Sequence, residues 1–265
     1  MAKALINDID ISNIRKLFLN QNPFNHVVID NFWKKDIAEQ LQKEIVSFSS
    51  DNNNVSVYDS PLEKKITCNH YDKFSKFTYQ AFTYLNSNAF IDIIKKITDI
   101  DDVIPDIGLS GGGLHIHPQG GKLNIHKDYS IHPKLQLERR INLIIYMTRD
   151  WQEDWGGHLE LWSHNSLDNK PKELGKRILN NFNRAVIFDT TQNSWHGLPD
   201  EIKAPLNINR QSMAVYFLTK PRKDISKRDR ALFAPTKEQE NDEEIMKLIK
   251  KRASSSTSDD AYRQK

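Results

Sequence analysis

The stretch from residue 107 to residue 219 constrains the fold more than any other part of the chain. It is a series of short segments rich in β-branched and aromatic residues, with glycine-containing turns between them. The segments lie at 114–117, 123–128, 140–147, 158–162, 184–188, 195–196 and 210–218. Many short strands joined by glycine turns favour a β-sandwich or barrel over a sheet of alternating strands and helices.

A jelly roll of about eight strands, also called a double-stranded β-helix, fits such a series. Apolar residues at helical spacing predict helices over 8–20 and 34–48, and two more around 74–85 and 90–97. A short β-rich run lies at 26–29, and a loop is expected at 49–54. We therefore expect a mainly β fold (α+β) with supporting N-terminal helices and one C-terminal helix. The apolar stripes of the helices are expected to pack into the hydrophobic core.

The same patterns predict one structural domain with three parts. Residues 1–104 are expected to be N-terminal helical and β support, residues 105–220 the jelly-roll core, and residues 221–265 a charged tail. In that tail Thr236 and Gln239 have the spacing of a capping box, which predicts the start of a helix there. Ser254 and the residues after it have the composition of a disordered end.

Composition excludes several classes of function. The 265-residue chain has 28% charged residues and a net charge of only +3, with basic residues scattered except near the C-terminal end, so no nucleic-acid partner is expected. No segment has the length and apolarity of a membrane span, and the N-terminal residues lack the apolar stretch of a signal peptide. Cys68 is the only cysteine, which rules out an intramolecular disulfide. A cytoplasmic protein is expected.

Two residues at the end of one predicted strand are candidates for metal binding. His126 and Asp128 are separated by one residue, so both side chains would project from the same face of the strand. A histidine, a carboxylate and one more histidine form the facial triad of non-haem Fe(II) oxygenases, which leaves coordination positions open. His196 is the best candidate for the third ligand, because it follows the strand ending at Asp189 and precedes a glycine.

Arg210 and Ser212 are candidates for binding a dicarboxylate. They lie on the predicted strand after His196, and their spacing makes them face the same way. A guanidinium holds a carboxylate through two parallel hydrogen bonds, and a hydroxyl adds one more. The distal carboxylate of a cosubstrate such as 2-oxoglutarate requires such a pair.

The order of these motifs resembles the Fe(II)/2-oxoglutarate-dependent dioxygenases, and in particular their prolyl 4-hydroxylase-like branch. The resemblance covers about residues 105–220 strongly and 24–48 loosely. The motifs that carry it are the first ligand strand at 121–128, the next strand at 140–146, the Gly-Gly hairpin at 154–161 and the distal Trp195-His196-Gly197.

Such a resemblance implies that His126, Asp128 and His196 hold Fe(II) and that Arg210 with Ser212 binds 2-oxoglutarate. The reaction implied is hydroxylation of an unactivated C–H bond by O2, coupled to decarboxylation of 2-oxoglutarate to succinate and CO2. A prolyl residue of a protein or peptide is the first expectation for the substrate. The resemblance also leaves room for ascorbate as a further reductant.

The chain departs from that branch at two positions. Many of its members have lysine where this chain has Arg210. The tyrosine that often binds 2-oxoglutarate on the strand before the first ligand is absent, and His115 and His117 occupy that strand instead. One of His117, Asn142 and Tyr146 is expected to replace the missing contact, and the sequence does not choose among them.

Candidate substrate residues follow the first ligand strand. His132 and Arg139 lie just beyond it, and Trp151 lies near the Gly-Gly turn. An ordinary surface or packing role is the alternative for each of them.

Other functions remain open at this stage. The same chemistry could act on a small molecule, a sugar or a glycan. A non-catalytic jelly roll could bind a sugar or a protein through its tryptophans. A cupin metal site at His115 and His117 is disfavoured, because Pro118-Gln119-Gly120-Gly121 supplies no glutamate where cupins need one.

Overall fold

A computed structural model of the chain describes residues 4–48, 55–190, 193–255 and 262. The helices in these ranges are α1 (Ile11–Leu19), α2 (Lys35–Val46), α3 (Lys76–Leu85), α4 (Asn88–Thr98) and α5 (Glu243–Ser254). The strands are β1 (His26–Ile29), β2 (Ser56–Asp59), β3 (Glu63–Cys68), β4 (Ile104–Pro105), β5 (Gly113–His117), β6 (Lys122–Lys127), β7 (Glu138–Tyr146), β8 (Leu159–Asn165), β9 (Lys170–Ile178), β10 (Ala185–Asp189), β11 (Trp195–Leu198), β12 (Arg210–Thr219) and β13 (Leu232–Phe233). The loop expected at 49–54 lies outside the described residues.

These strands form one antiparallel sheet. Its order is β1-β10-β7-β12-β5-β3-β6-β11-β8-β9, with β2 on β3, β4 on β12 and β13 on β6. Strand β3 pairs with both β5 and β6, so it joins the two halves of the sheet. This arrangement confirms the expected mainly β jelly roll with flanking helices.

The central strands β7 and β12 lie between the hydrophobic core and a cavity. Alternate residues point to opposite faces of a strand. On one face, Ile141, Leu143 and Ile145 of β7 belong to the largest hydrophobic cluster, together with Phe18, Leu41, Phe82 and Phe90 of the helices. On the other face, Asn142 and Ile144 line an internal cavity. Both faces are therefore buried, which explains why residues 140–147 read as a nearly continuous apolar run.

The sheet draws strands from outside the predicted core. Strand β1 extends one edge by pairing with β10, and β13 pairs with β6. The β2–β3 hairpin was not predicted, because β2 is mostly exposed and β3 begins Glu63-Lys64-Lys65, without an apolar alternation. Residues Glu63, Lys65 and Thr67 of β3 face the cavity, where polar side chains are needed.

The tail helix begins later than predicted. Helix α5 starts at Glu243, and the Asp242 side chain, as its N-cap, accepts hydrogen bonds from the backbone amides of Glu244 and Ile245. Gln239 does accept from the Thr236 amide at 3.0 Å, but this bond closes a turn, and the same side chain is tied to Asn124 at 2.6 Å. The capping-box pattern was therefore wrong as a helix start. Ser254 ends α5, and of the end expected to be disordered only Ser255 and Tyr262 are also described.

Helix α5 packs onto the sheet. Ile249 forms a small apolar cluster with Leu62 and Phe233. No helix in the described ranges has the length and apolarity needed to cross a membrane.

Candidate active site

Three side chains from two neighbouring strands converge in the cavity. His126 lies on β6, Asp128 directly follows that strand, and His196 lies on β11. The Nε2 atoms of His126 and His196 are 3.7 and 3.8 Å from the two carboxylate oxygens of Asp128. One ligand atom from each of the three lies within 4.8 Å of the others. The residues singled out by spacing thus meet at one point.

The pairing of β11 with β6 creates this meeting point. His196 lies directly opposite His126 in the ladder, and the two ring centroids are 4.5 Å apart. Gly197 permits the close approach, because a Cβ atom there would lie 2.7 Å from the Leu123 carbonyl oxygen. A side chain at 197 would push the second histidine away from the first.

Backbone carbonyls hold both imidazoles in the orientation that a metal requires. The Nδ1 atom of His126 is 3.0 Å from the Asn124 carbonyl oxygen, and that of His196 is 2.9 Å from the Ser194 carbonyl oxygen. A carbonyl can only accept, so each Nδ1 carries the proton and each Nε2 presents a lone pair to the cluster. Metal-binding histidines are held in this way. Two neutral imidazoles and one carboxylate therefore fit an Fe(II) ion.

Asp128 is held in its ionised form. Burial raises its pKa, but the neighbouring His126, His196 and Arg139 outweigh burial and keep the pKa far below its ordinary value. The Tyr216 hydroxyl donates to the second carboxylate oxygen at 3.1 Å. Burial and the Asp128 charge raise the pKa of Tyr216 well above its usual value, so this hydroxyl keeps its proton. The carboxylate is thus both charged and oriented.

Arg139 is fixed beside this carboxylate. Its guanidinium carbon lies 3.4 Å from the ring centroid of Tyr129 and 3.5 Å from that of Tyr216. One terminal nitrogen is 3.8 Å from Asp128, and the other contacts the Tyr129 hydroxyl and the Ser110 carbonyl. Stacking between two rings holds the charge in place. Arg139, a candidate substrate residue, therefore lies at the cluster and lines the cavity.

The other two candidate substrate residues are occupied elsewhere. The ring of His132 accepts at Nδ1 from the amides of Lys134 and Leu135, and its Nε2 is 3.5 Å from Asp106. Trp151 donates to the Gly156 carbonyl at 2.9 Å and packs edge-on against Trp155. Neither His132 nor Trp151 lines the cavity.

Arg210 lies buried at one end of the cavity. It is 2% exposed, and its Nε donates to the Gly157 carbonyl at 2.7 Å. Gly157 has a positive φ, and a Cβ there would be only 3.0 Å from the Arg210 side chain, so the Gly-Gly turn provides both the acceptor and the room. The guanidinium carbon is 5.0 Å from the Tyr146 ring centroid. Burial lowers the pKa of Arg210 without removing its charge.

Several buried polar atoms around Arg210 have no hydrogen-bond partner in the described structure. They are both ring nitrogens of His117 and the side-chain amide oxygen of Asn142, while the Tyr146 hydroxyl has no partner other than Arg210 among the described residues. In the ladder His117 lies opposite Arg210, while Tyr146 lies opposite Ser212. Buried polar groups are normally paired, so a free set beside a buried guanidinium indicates a place for a polar, anionic ligand. All three residues left open by the sequence are thus present there.

The metal cluster includes neither His115 nor His117. Within the described ranges the only group of three or more potential ligands that could hold a metal is His126, Asp128 and His196. A cupin site on β5 is therefore not formed.

Sequence reasoning missed several cavity residues. Tyr129 and Tyr216 lie close to residues of the ligand motif, but nothing in their spacing signals that they enclose Arg139. Glu63, Lys65 and Arg252 come from parts of the chain that were read as support or tail. The cavity that they complete has a volume of about 270 Å³.

Buried histidines should make the metal-free protein less stable as the pH falls. Burial lowers the pKa of His117 well below 6.5 and that of His196 to about 4. Between these values and 6.5 the unfolded chain binds protons that the folded chain does not, so the free energy of unfolding decreases as the pH drops. Urea unfolding at pH 7, 6 and 5 should show a loss of about 1–2 kcal/mol per histidine at pH 5. A His117→Gln variant should have a shallower dependence, and an unchanged slope would contradict this explanation.

Comparison with known proteins indicates the family that the sequence resembles, the Fe(II)/2-oxoglutarate oxygenases. Residues 112–218 match the family model described as 2OG-Fe(II) oxygenase superfamily. The chain is 26% identical over 212 residues to prolyl 3-hydroxylase OGFOD1 of Mus musculus. The aligned region covers 77% of this chain and 35% of that relative. The chain thus spans about a third of the length of that curated relative.

Similar solved structures share the fold. One is a Trichoplax adhaerens prolyl hydroxylase in complex with a peptide of hypoxia inducible factor, with a TM-score of 0.54 and 15% identity over 79% of this chain and 90% of that one. A prolyl-4-hydroxylase of Pseudomonas putida has a TM-score of 0.53 and 13% identity over 78% and 100%. HygX of Streptomyces hygroscopicus, with nickel, 2-oxoglutarate and hygromycin B bound, has a TM-score of 0.51 and 10% identity over 80% and 89%. Together with the family match, these likenesses confirm the predicted resemblance to the Fe(II)/2-oxoglutarate oxygenases and to prolyl hydroxylases among them.

Proposed function

We propose that this protein is an Fe(II)- and 2-oxoglutarate-dependent dioxygenase that hydroxylates an unactivated C–H bond and converts 2-oxoglutarate to succinate and CO2. The observation that carries the proposal is the convergence of His126, Asp128 and His196, with both imidazoles presenting Nε2 to one carboxylate. Buried Arg210, in the same cavity, supplies the second requirement, a cation for the cosubstrate.

Each residue has a defined part in the proposed reaction. His126, Asp128 and His196 would hold Fe(II) on one side, which leaves its other side facing the cavity. Arg210 and Ser212 would bind the distal carboxylate of 2-oxoglutarate, with His117, Asn142 and Tyr146 close enough to orient it. Fe(II) and 2-oxoglutarate, when bound, supply the oxidising chemistry that activates O2. Burial of these residues keeps bulk water from the reacting groups.

The proposed substrate is a prolyl residue of a protein or peptide. The prolyl hydroxylases among the similar proteins support this choice. Oxidation of a small molecule, sugar or glycan is the second candidate. It is favoured by charged residues of the cavity, Lys65 and Arg252, that have no part in holding the metal or 2-oxoglutarate.

We also propose that the protein works in a reducing compartment such as the cytoplasm. Its only cysteine, Cys68, is buried as a free thiol. Reducing conditions would also keep the proposed iron in its Fe(II) state, with ascorbate as an accessory reductant.

The proposal is tested by incubating the purified protein with Fe(II), 2-oxoglutarate, O2, ascorbate and a panel of proline-containing peptides and sugars. We expect succinate to form, and one substrate to gain the mass of one oxygen atom. His196→Gln is the matched inactive control, since it keeps a polar side chain but loses the imidazole ligand. A protein that binds a sugar or peptide but neither metal nor 2-oxoglutarate would instead be a binding module.

A further inference from the structure

One wall of the cavity carries more positive charge than the proposed iron and cosubstrate require. Lys65 of β3, Arg230 before β13 and Arg252 of α5 all line the cavity, and we call these three residues the cationic wall. Glu63 is the carboxylate that accompanies them. Arg139 and Arg210 are separate, because the first lies beside Asp128 and the second faces the proposed cosubstrate pocket.

Arg252 is the most deeply placed member of the cationic wall. It is 7% exposed, its Nε forms an ion pair with Glu63 at 3.5 Å, and one terminal nitrogen, Nη1, has no hydrogen-bond partner in the described structure. Its guanidinium carbon lies 5.8 Å from the ring centroid of Phe233. That ring in turn stacks on His126, with centroids 5.3 Å apart. Phe233 therefore contacts both Arg252 and His126 of the metal cluster.

Glu63 neutralises only part of this charge. Its Oε2 is 3.0 Å from the Lys65 ammonium, and its Oε1 is 3.5 Å from Arg252 and also contacts the Tyr262 hydroxyl. Burial raises the pKa of Glu63, but Lys65 and Arg252 outweigh burial and lower it to about 2, so the carboxylate carries a full charge at neutral pH.

Arg230 adds a third cation. It is half-buried, and its Nε donates to the Ser255 carbonyl at 2.9 Å, a neutral acceptor that cancels none of its charge. Within the part of the chain that the structure describes, the three cations of this wall thus face one carboxylate, Glu63. Uncompensated charge in a buried site is costly, and an anion that fills the site removes this cost.

From this excess we infer that the substrate is an anion, whose carboxylate or phosphate group binds the cationic wall through Arg252 and Arg230 while the carbon to be oxidised faces the metal cluster. This inference rests on the proposed function and names the substrate class. For a peptide it means an acidic residue near the target proline. For a small molecule it means an acid or a phosphate ester.

Binding of simple anions tests the inference on the full chain loaded with Mn(II) and 2-oxoglutarate, which occupy the proposed metal and cosubstrate sites without turnover. The probes are inorganic phosphate and the acetylated dipeptide amides Pro-Glu and Pro-Gln. Mn(II) broadens the magnetic resonance lines of nuclei close to it, so broadening of the probe signals reports binding near the metal. We expect saturable broadening with phosphate, with Pro-Glu, or with both, and weaker binding of Pro-Gln.

Variants of the cationic wall identify the residues responsible. Arg252→Met should weaken the binding of the anionic probe by about tenfold or more, which is typical for the loss of hydrogen bonds to a charged group. Lys65→Met is a second variant in case loss of Arg252 disturbs α5, and it should act in the same direction. Lys247→Met, on the exposed side of the same helix, is the matched control and should have no effect.

The outcomes separate the inference from the function on which it rests. If Mn(II) and 2-oxoglutarate do not bind, the proposed function itself is wrong. If both bind, but no anionic probe binds better than its neutral counterpart, or Arg252→Met and Lys65→Met bind the probes as the parent does, the inference is overturned. Preference for phosphate over Pro-Glu would identify a phosphate ester, and the reverse preference a carboxylate.

Discussion

Replacing Asp128 with alanine is expected to abolish metal binding and all turnover of 2-oxoglutarate. Asp128 is the only anionic member of the cluster, and its two oxygens lie 3.7 and 3.8 Å from the Nε2 atoms of His126 and His196. Loss of a residue that merely orients a ligand typically costs about 10–100-fold in metal affinity, and loss of the ligand itself should cost more. Titration with Mn(II) in the absence of O2 measures this affinity directly.

Two further variants keep this prediction from being confused with misfolding. Asp128→Asn has the same shape and can still accept from Tyr216, so it should fold normally while losing most of the metal affinity. Asp189→Asn is the matched control, since Asp189 is another buried aspartate that does not line the cavity. Asp189 pairs with Arg140 at 3.0 Å, and the amide oxygen of an asparagine can still accept from that guanidinium, so the variant should keep the fold. Normal metal binding by Asp128→Ala would refute the proposed metal centre.

Replacing Arg210 with methionine should leave metal affinity intact and remove the binding of 2-oxoglutarate. Truncating one partner of a buried, hydrogen-bonded charge pair costs about 2–5 kcal/mol. That corresponds to a loss of about 30- to 4,000-fold in affinity for 2-oxoglutarate. Calorimetric titration of the Mn(II)-loaded protein with 2-oxoglutarate provides the measurement.

Arg210→Lys and Arg149→Met sharpen the interpretation. The lysine variant keeps the charge but not the two-pronged geometry, so its affinity should fall between those of the parent and the methionine variant. Arg149 is partly exposed, pairs with Glu39 and does not line the cavity, so its replacement should change nothing at the site. If Arg210→Met bound 2-oxoglutarate as the parent does, the cosubstrate pocket would lie elsewhere.

Local sequence patterns were sufficient to predict the class of fold and to single out His126, Asp128 and His196, which the structure brings together. Short β-prone segments between glycine turns predict a jelly roll, since turn residues and apolar alternation act within a few positions of each other. The one-residue spacing of His126 and Asp128 places both at the same end of one strand. Side-chain placement that depends on residue type and short spacing can therefore be predicted from the sequence.

Pairings between distant parts of the chain could not be read in this way. Charged residues on β3 look like a solvent-facing edge, yet Lys65 faces the cavity because β3 inserts between β5 and β6. Arg139 was a candidate for substrate binding, but its place between the rings of Tyr129 and Tyr216 depends on how β7 lies against β12. Helix α5 starts at Glu243 and not at Thr236, where the capping-box spacing predicted it, because Gln239 is held by Asn124 of the sheet.

By itself, the sequence determined that a jelly roll carries two histidines, an aspartate and an arginine in the order of an Fe(II)/2-oxoglutarate oxygenase. Only the tertiary structure decided that His196 lies opposite His126, that backbone carbonyls orient both rings, and that the cationic wall lines the cavity. The reason is physical. Strand alternation and turn chemistry are local, whereas ladder register and burial of charge arise only when distant segments pack together.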